Sequence, residues 1–275
     1  MYPNLKKSYK GFYPFRISTT SYIYPDHMHS NVKMLAPYLE EIELLLFESS
    51  PDDSLPSAHE IRALSDLAKT SGLTYNIHLP IDISISDRDP SVRRHGVEII
   101  KRIIELTAPL TPTTYTLHIP WEEPGREKEK LTKWRERSYR SIEQILAGGV
   151  PGRTLSVETL MYPFEWLDDI LIDLNLSVCL DLGHLILQGF DIEAHFNKYY
   201  ERTSIIHLHG VKDNRDHLSI DMLPERDLTA VMKILKQFTG TVSLEVFAFK
   251  HLKASLTFLE KNWRDDRVIP FSSPP

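Results

Sequence analysis

The chain of 275 residues lacks the features of a secreted or membrane protein. It contains one cysteine, Cys179, so it can form neither an internal disulfide nor a cysteine-rich zinc module. Cys179 lies inside an apolar run, where a small buried side chain is expected rather than a reactive thiol. No segment approaches the roughly 18 uninterrupted apolar residues of a membrane span, and residues 1–10 lack the apolar stretch of a secretory signal. We therefore expect a cytoplasmic protein that does not bind membranes.

The chain also lacks an excess of positive charge. Its 32 Lys and Arg residues stand against 38 Asp and Glu residues, which gives a formal net charge of −6. Enzymes that act on nucleic acids usually carry a basic surface. The one basic stretch, residues 126–140, alternates Lys and Arg with Glu, as the solvated face of a helix does. We expect a small-molecule substrate and no nucleic-acid partner, and the oligomeric state stays open.

Short apolar runs alternate with segments of helical periodicity along the whole chain. Eight such pairs, on a chain near the roughly 250 residues of a (β/α)8 barrel, predict an α/β fold: a single TIM barrel over residues 15–263 of a single domain, 1–275. An open doubly wound sheet would place a Gly-rich turn after the first strand, where the sequence has Ser18–Ser21. The predicted strands are Phe15–Thr19, Ile42–Phe47, Thr74–His78, Thr114–His118, Thr154–Glu158, Leu176–Asp181, Ser204–His209 and Val242–Val246.

The predicted helices carry local start and stop signals. Ser57 and Glu60 form a capping box in front of the second helix, and Gly72 ends it. Asp191 is expected to cap a helix after the sixth strand.

Six of the predicted strands end in, or next to, a side chain that binds metals. These residues are His78, His118, Glu158, Asp181, His209 and Glu245. The carboxyl ends of all strands in a parallel barrel meet at one mouth, so we expect these side chains to converge. Several carboxylates at one point would repel each other without a cation. Because histidine and carboxylate together suit Zn²⁺ and Mn²⁺, the sequence predicts a centre for divalent metal ions.

Two loops add further candidates. In Asp181-Leu182-Gly183-His184 a tight turn would bring His184 back to the same mouth, although Asp181 could instead cap the next helix. After the seventh strand, Arg215 could hold a phosphate or sugar oxygen and His217 could add a ligand.

The pair His207 and His209 at the seventh strand raises a choice. We expect the alternation of a strand to point one of them into the barrel and the other away, so that only one binds metal. His209, nearer the mouth, is the favoured ligand, and His207 is expected to be packed or to lie behind the ligands.

These residues resemble the xylose isomerase-like superfamily of barrels, which includes sugar isomerases, epimerases and endonucleases of the endonuclease IV type. The resemblance covers the whole barrel. Its endonuclease branch implies a three-zinc cluster. In this chain the implied first metal has the ligands His78, His118 and Glu158; the second has Glu158, Asp181, His209 and Glu245; and the third has His184 and His217.

One departure from the endonuclease pattern lies after the seventh strand. Arg215 stands where that pattern has an aspartate, and Asp216 precedes His217 directly, which puts the third metal in doubt. Arg215 resembles the epimerase branch, which implies a single metal and no need for both His78 and His118. That pair of histidines favours two or three metals.

Two apolar segments carry a narrower resemblance. Pro14–Pro25 and Ile42–Glu48 look like the cobamide-remodelling phosphodiesterases of the CbiR family. This resemblance implies hydrolysis of the nucleotide loop of coenzyme B12-type cobamides to adenosylcobinamide phosphate and an α-riboside. A large amphipathic corrinoid substrate also suits the aromatic loops at residues 22–27 and 120–121 and the acidic net charge.

The predicted chemistry is metal-dependent attack of water on a phosphodiester. Glu158 and Glu245 would anchor the metals, while His184 and Arg215 would neutralise the charge that develops on phosphoryl oxygens. Alternatives are a sugar (phosphate) isomerase or epimerase with one metal, in which the two glutamates move a proton at carbon, and a barrel that only binds a ligand. The identity of the metal and the roles of four residues stay open: Glu43, Glu48, His207 and Asp216.

Overall fold

The computed structural model describes residues 2–46, 48–49 and 55–263. Eight parallel strands form a closed barrel in the order β1-β10-β7-β6-β5-β4-β3-β2, so the predicted single (β/α)8 barrel is confirmed. The barrel strands are β1 (Arg16–Thr20), β2 (Glu41–Leu45), β3 (Thr74–His78), β4 (Tyr115–Leu117), β5 (Leu155–Glu158), β6 (Ser177–Asp181), β7 (Thr203–Leu208) and β10 (Thr241–Leu244). Of the second predicted strand, Phe47 lies outside the described residues, as does the end of the chain from residue 264 onwards.

Helices surround the barrel in alternation with its strands. They are α1 (Met28–Leu35), α2 (Ala58–Ser71), α3 (Pro90–Thr107), α4 (Lys128–Leu146), α5 (Asp168–Asp173), α6 (Leu182–Leu187), α7 (Ile192–Tyr199), α8 (Glu225–Gln237) and α9 (Phe249–Trp263). Within the described residues, no helix combines the length and apolar character needed to cross a membrane.

The predicted helix signals are confirmed. The Ser57 side chain accepts from the backbone N–H of Glu60, and the Glu60 carboxylate accepts in return from the backbone N–H of Ser57. Gly72 ends α2 with a φ of 63°, a left-handed conformation that costs glycine little. Asp191 caps α7 by accepting from the backbone N–H of Ala194.

The barrel has an apolar outer layer and a polar interior. Outward-facing residues such as Ile17, Tyr75 and Val242 are fully buried against the helices. Inside, Glu43 of β2 accepts hydrogen bonds from His207 of β7 and from Ser243 of β10. Since β2 and β7 are not neighbours in the barrel, this bond crosses the interior.

A two-stranded hairpin follows the seventh barrel strand. β8 (Gly210–Lys212) pairs antiparallel with β9 (Arg215–Leu218). The two residues between them, Asp213 and Asn214, have φ of 51° and 57°, as a type I′ turn requires and as Asp and Asn tolerate. The hairpin brings β9 back towards the barrel mouth.

Candidate metal centre

The carboxyl ends of six adjacent barrel strands, β3 to β7 and β10, deliver polar side chains to one rim. Together they form what we call the rim cluster: His78, His118, Glu158, Asp181, His184, His207, His209, His217 and Glu245. Nitrogen–oxygen distances of 2.9–3.8 Å connect all of these residues. The structure thus brings together every metal ligand predicted from the sequence, and adds His207.

Glu158 lies at the centre of the rim cluster and is 1% exposed. Its Oε2 atom is 2.9 Å from Nε2 of His118 and 3.4 Å from Nε2 of His78. Its Oε1 atom is 3.3 Å from Nδ1 of His184. The two oxygens therefore face different histidines, which is the arrangement of a carboxylate that can bridge two cations.

Asp181 has two roles at once. Its Oδ1 accepts from the backbone N–H of His184 at 2.7 Å and so caps α6, the alternative considered from the sequence. The same carboxylate lies 3.2 Å from Nε2 of His209 and 3.3 Å from Nδ1 of His184. The cap holds the carboxylate in place, and Oδ2 has no hydrogen-bond partner among the described residues.

The expectation that one of His207 and His209 points away from the barrel interior was wrong. Side chains alternate with a period of two, so residues two apart share a face and only Leu208 lies on the other. Both histidines are fully buried, and both have a ring nitrogen within 3.9 Å of Asp181. His207 also lies 3.3 Å from Glu245 and 3.5 Å from Glu158.

The hairpin positions His217 beside Glu245. Nδ1 of His217 is 3.1 Å from the backbone oxygen of Glu245 and 3.8 Å from its Oε2. The backbone nitrogen of His217 lies 3.1 Å from Nδ1 of His209. His217 adopts a φ of 51°, which is unfavourable for a residue with a side chain.

Opposite charges in the rim cluster stabilise each other against the cost of burial. Burial raises the pKa of the Glu158 carboxyl, but His118 and His207 outweigh it and hold that pKa well below its usual value. Burial lowers the pKa of His184, yet Asp181 and Glu158 raise it overall to about 10. Burial also lowers the pKa of His209, but the nearby carboxylate of Asp181 outweighs burial and raises this pKa above its usual value. These contacts between imidazoles and carboxylates offset part of the cost of burying the carboxylates.

The nitrogen and oxygen atoms of the rim cluster are suited to binding divalent cations. Asp181 Oδ2, His207 Nδ1, His209 Nε2 and Glu245 Oε2 are buried and have no hydrogen-bond partner among the described residues. An unsatisfied buried polar atom is costly. Nδ1 of His207 lies 3.9 Å from Oδ2 of Asp181 and 3.3 Å from Oε2 of Glu245, while Nε2 of His209 lies 3.2 Å from Oδ1 of Asp181, so a cation bound among these atoms would satisfy them. Their ligand atoms, with those of the other rim residues, form groups of three that lie within 4.8 Å of one another. The set is nitrogen and carboxylate oxygen, which suits Zn²⁺ or Mn²⁺.

Arg215, the predicted charge-neutralising residue, lies outside the rim cluster. Arg215 is the first residue of β9, and its side chain is exposed. Burial and the charge of Lys250 lower the pKa of His251, and the charge of Arg215 adds a smaller effect in the same direction. Glu48 is exposed as well, and the half-buried Asp216 is 4.0 Å from Nε2 of His217. Cys179 is buried, as predicted, and burial raises the pKa of its thiol well above the usual value.

His207 and Glu43 are the site residues that the sequence interpretation left unassigned. The signal that identifies them is the period of two in β2 and β7: it places Glu43 on the face of Glu41 and His207 on the face of His209. The hydrogen bond between Glu43 and His207 crosses the barrel, so it can be recognised only once the barrel is closed.

The comparisons with known proteins agree with the fold. A closed barrel with histidines and carboxylates on its carboxyl rim defines the class: a (β/α)8 barrel whose rim residues could hold metal ions. Residues 39–267 match the family described as the xylose isomerase-like TIM barrel, and the chain belongs to this family. No curated protein matches the sequence.

Several solved structures share the barrel at low sequence identity. A D-tagatose 3-epimerase-like protein superposes with a TM-score of 0.74 at 18% identity, covering 93% of this chain and 100% of its own. Endonuclease IV from Thermus thermophilus superposes with a TM-score of 0.67 at 20% identity, covering 90% of this chain and 99% of its own. An L-ribulose 3-epimerase has a TM-score of 0.70 at 16% identity, with 95% and 100% covered. At these identities the likeness concerns the fold.

Proposed function

We propose that this protein is a divalent-metal-dependent phosphodiesterase that hydrolyses the nucleotide loop of cobamides. The observation that carries the proposal is the position of Glu158 between two sets of histidines. His78 and His118 face one of its oxygens, and His184 faces the other. A centre for one cation needs only one of these sets, whereas two or three cations sharing a carboxylate use both.

A bound divalent cation supplies Lewis acidity, which lowers the pKa of water and neutralises phosphoryl charge. The protein contributes fixed, buried carboxylates that need no reorganisation during the reaction. Glu158 and Glu245 are 1% and 5% exposed, so their charges act in a site with little water. In the reaction, the oxygen of a water molecule bonds to phosphorus as the bond from phosphorus to the ribosyl oxygen breaks. The water gives up one proton and the leaving ribosyl oxygen takes one up, while His184, whose Nδ1 lies 3.3 Å from Glu158 and from Asp181, would help to hold a cation.

The surface around the rim cluster supports a large, partly apolar substrate. Four of the eight exposed large hydrophobic side chains among the described residues lie in loops that directly follow barrel strands: Tyr22, Ile81, Met161 and Phe247. The Phe247 ring lies 4.8 Å from the ring of His217, centre to centre, which places it at the edge of the cluster. Exposed apolar groups around a polar site are typical of ligand recognition. A corrinoid carries an apolar ring face as well as a phosphodiester, and a small sugar does not.

The test is incubation of the metal-loaded protein with adenosylcobalamin, followed by identification of the products by mass. We expect adenosylcobinamide phosphate and an α-riboside, and two or three metal ions per chain. A simple chromogenic phosphodiester serves as a second substrate. Hydrolysis of the chromogenic substrate without cleavage of adenosylcobalamin would support phosphodiesterase activity and reject cobamides as the substrate. Absence of both activities in a protein with full metal content would reject the phosphodiesterase.

A second candidate is a sugar (phosphate) epimerase with one divalent cation. It is favoured by the approach of Glu158 and Glu245 to one point, since both lie within 3.5 Å of Nδ1 of His207. Two carboxylates around one centre are suited to removing a proton from one face of a carbon and returning it to the other. One metal per chain and exchange of a ketose C–H with deuterated water would support this candidate over the phosphodiesterase.

A further inference from the structure

A cleft between α3 and α4 concentrates positive charge on a chain whose net charge is −6. Its volume is about 300 Å³, and none of its lining residues belongs to the rim cluster. Four of the nine lining residues are arginines and one is a glutamate, which leaves an excess of three positive charges. We call it the arginine cleft; its charged residues are Arg93, Arg94, Glu136, Arg137 and Arg140.

Two of the arginines are half-buried and held in place by the loop after β3. Arg93 and Arg137 donate to backbone oxygens of residues 86–88 at 2.7–3.0 Å. Backbone oxygens satisfy these donors without neutralising the positive charge. Arg137 also pairs with Glu123 at 2.7 Å, but Arg88 shares that carboxylate. The inner side of the cleft therefore keeps fixed guanidinium groups whose charge is only partly compensated.

The other two arginines are exposed and lie at the entrance of the cleft. Arg94 forms no ion pair with any described residue. Arg140 lies 3.6 Å from Glu136, one turn away on the same helix, and both side chains are exposed. Exposed pairs of this kind contribute little to stability. Both guanidinium groups are therefore able to bind an anion from solution.

A buried hydroxyl without a partner forms part of the floor of the cleft. Ser141 of α4 is 3% exposed and lines the cleft, and its hydroxyl makes no hydrogen bond with a described residue. Ser138, three positions earlier on the same helix, is fully buried and donates to the backbone oxygen of Trp134 at 2.9 Å. Because buried polar groups usually have a partner, the Ser141 hydroxyl is suited to a ligand that enters the cleft.

We propose that the arginine cleft binds the phosphate group of a small molecule. The guanidinium groups of Arg94 and Arg140 bind the phosphate oxygens at the entrance, and the Ser141 hydroxyl donates to one from the floor. A guanidinium group matches two phosphate oxygens at once, which makes arginine the usual residue for this ligand. A nucleic acid needs an extended basic surface, whereas this cleft is confined to two helices of an acidic chain. The inference goes beyond the proposed function and does not depend on it.

The first test compares Ser141→Ala with Ser138→Ala in calorimetric titrations of the full chain with inorganic phosphate and with pyrophosphate. Alanine is favoured in a helix, and Ser141 has no hydrogen bond to lose, so this variant should fold normally. We expect Ser141→Ala to weaken binding about tenfold, as loss of a hydrogen bond to a charged group does, and Ser138→Ala to bind like the wild type. Equal affinities in the two variants, as binding at the rim cluster would give, overturn the proposal. Failure of the wild-type chain to bind either anion does so as well.

The second test removes the charges at the entrance. We expect Arg94→Gln and Arg140→Gln each to weaken phosphate binding by about tenfold or more, and Arg94→Lys to bind with intermediate affinity because lysine keeps the charge but lacks the planar fork. Arg135→Gln is the matched control, since Arg135 lies on the same helix but pairs with Asp169 of α5. An equal loss of affinity in Arg135→Gln would show that only net charge matters, and binding of a DNA duplex without binding of phosphate or pyrophosphate would show a different ligand. Either result overturns the proposal.

Discussion

Gly183 is the position where one methyl group tests the geometry of the centre. It lies in the first turn of α6, between Asp181 and His184, and its Cβ would overlap three ring atoms of His209. The His209 ring is fully buried, and its Nε2 faces Asp181 at 3.2 Å. We expect Gly183→Ala to displace this ring and so to weaken metal binding.

The magnitude follows from two opposing effects. Alanine is favoured over glycine in a helix by about 1 kcal/mol, while an extra methyl group in a packed interior costs about 1–3 kcal/mol. The metal-free variant should therefore be less stable than the wild type by between nothing and about 2 kcal/mol. The gain in helix propensity does not strengthen metal binding. Displacement of the His209 ring should therefore weaken metal binding at least tenfold, which corresponds to about 1.4 kcal/mol.

The assay is metal content per chain together with thermal unfolding of the chelated and the loaded protein. Gly96→Ala is the matched control: it lies in α3, where a Cβ would meet its nearest atom at 3.4 Å, an ordinary contact. The control should gain stability from helix propensity and bind metal normally. A Gly183→Ala protein with the same gain and wild-type metal affinity would refute the argument that glycine is needed to make room for His209.

Three further outcomes are expected. Glu158→Gln should abolish hydrolysis and lower the metal content together, because an amide cannot bridge two cations; full activity in this variant would exclude Glu158 from the mechanism. Chelation should lower the melting temperature, since a ligand at 100 times its Kd stabilises a protein by about 2.7 kcal/mol, and addition of Zn²⁺ or Mn²⁺ should restore it; an unchanged melting curve would argue against the metal centre. Ser57→Ala should cost about 1 kcal/mol through loss of the cap on α2, with metal content unchanged; a drop in metal content would show that the cap influences the distant rim.

Much of the fold and most of the candidate centre follow from local sequence signals. A strand ending in His, Asp or Glu needs no knowledge of its neighbours to be recognised, as Thr74–His78 and Leu155–Glu158 show. The closure of the barrel then brings all such endings together, because parallel strands share one carboxyl rim. Glu158 and Asp181 end neighbouring strands for this reason, and the turn into α6 adds His184, which lies 3.3 Å from both carboxylates.

The remaining part depends on contacts that no local pattern encodes. Arg215 has the spacing of a substrate-binding residue, but the turn at Asp213 and Asn214 folds its segment into a hairpin and leaves its side chain exposed. The bond between Glu43 and His207 joins residues 164 positions apart across the barrel. Such a pair can be recognised only when the closed sheet fixes which interior side chains face each other.

The barrel interior shows why a buried charge alone does not identify a functional residue. Glu41 and Glu43 belong to the same strand, face the same interior and are equally inaccessible to water. Glu41 receives hydrogen bonds from hydroxyl and amide groups and pairs with Arg16, so its contacts compensate its buried charge. Glu43 is bonded to a histidine whose second nitrogen faces three carboxylates. A stable barrel does not require that arrangement, since an apolar pair of similar size would remove the cost of burying both groups. The arrangement is useful if a cation binds above it, and metal content in the Glu43→Gln and Glu41→Gln proteins separates the two roles.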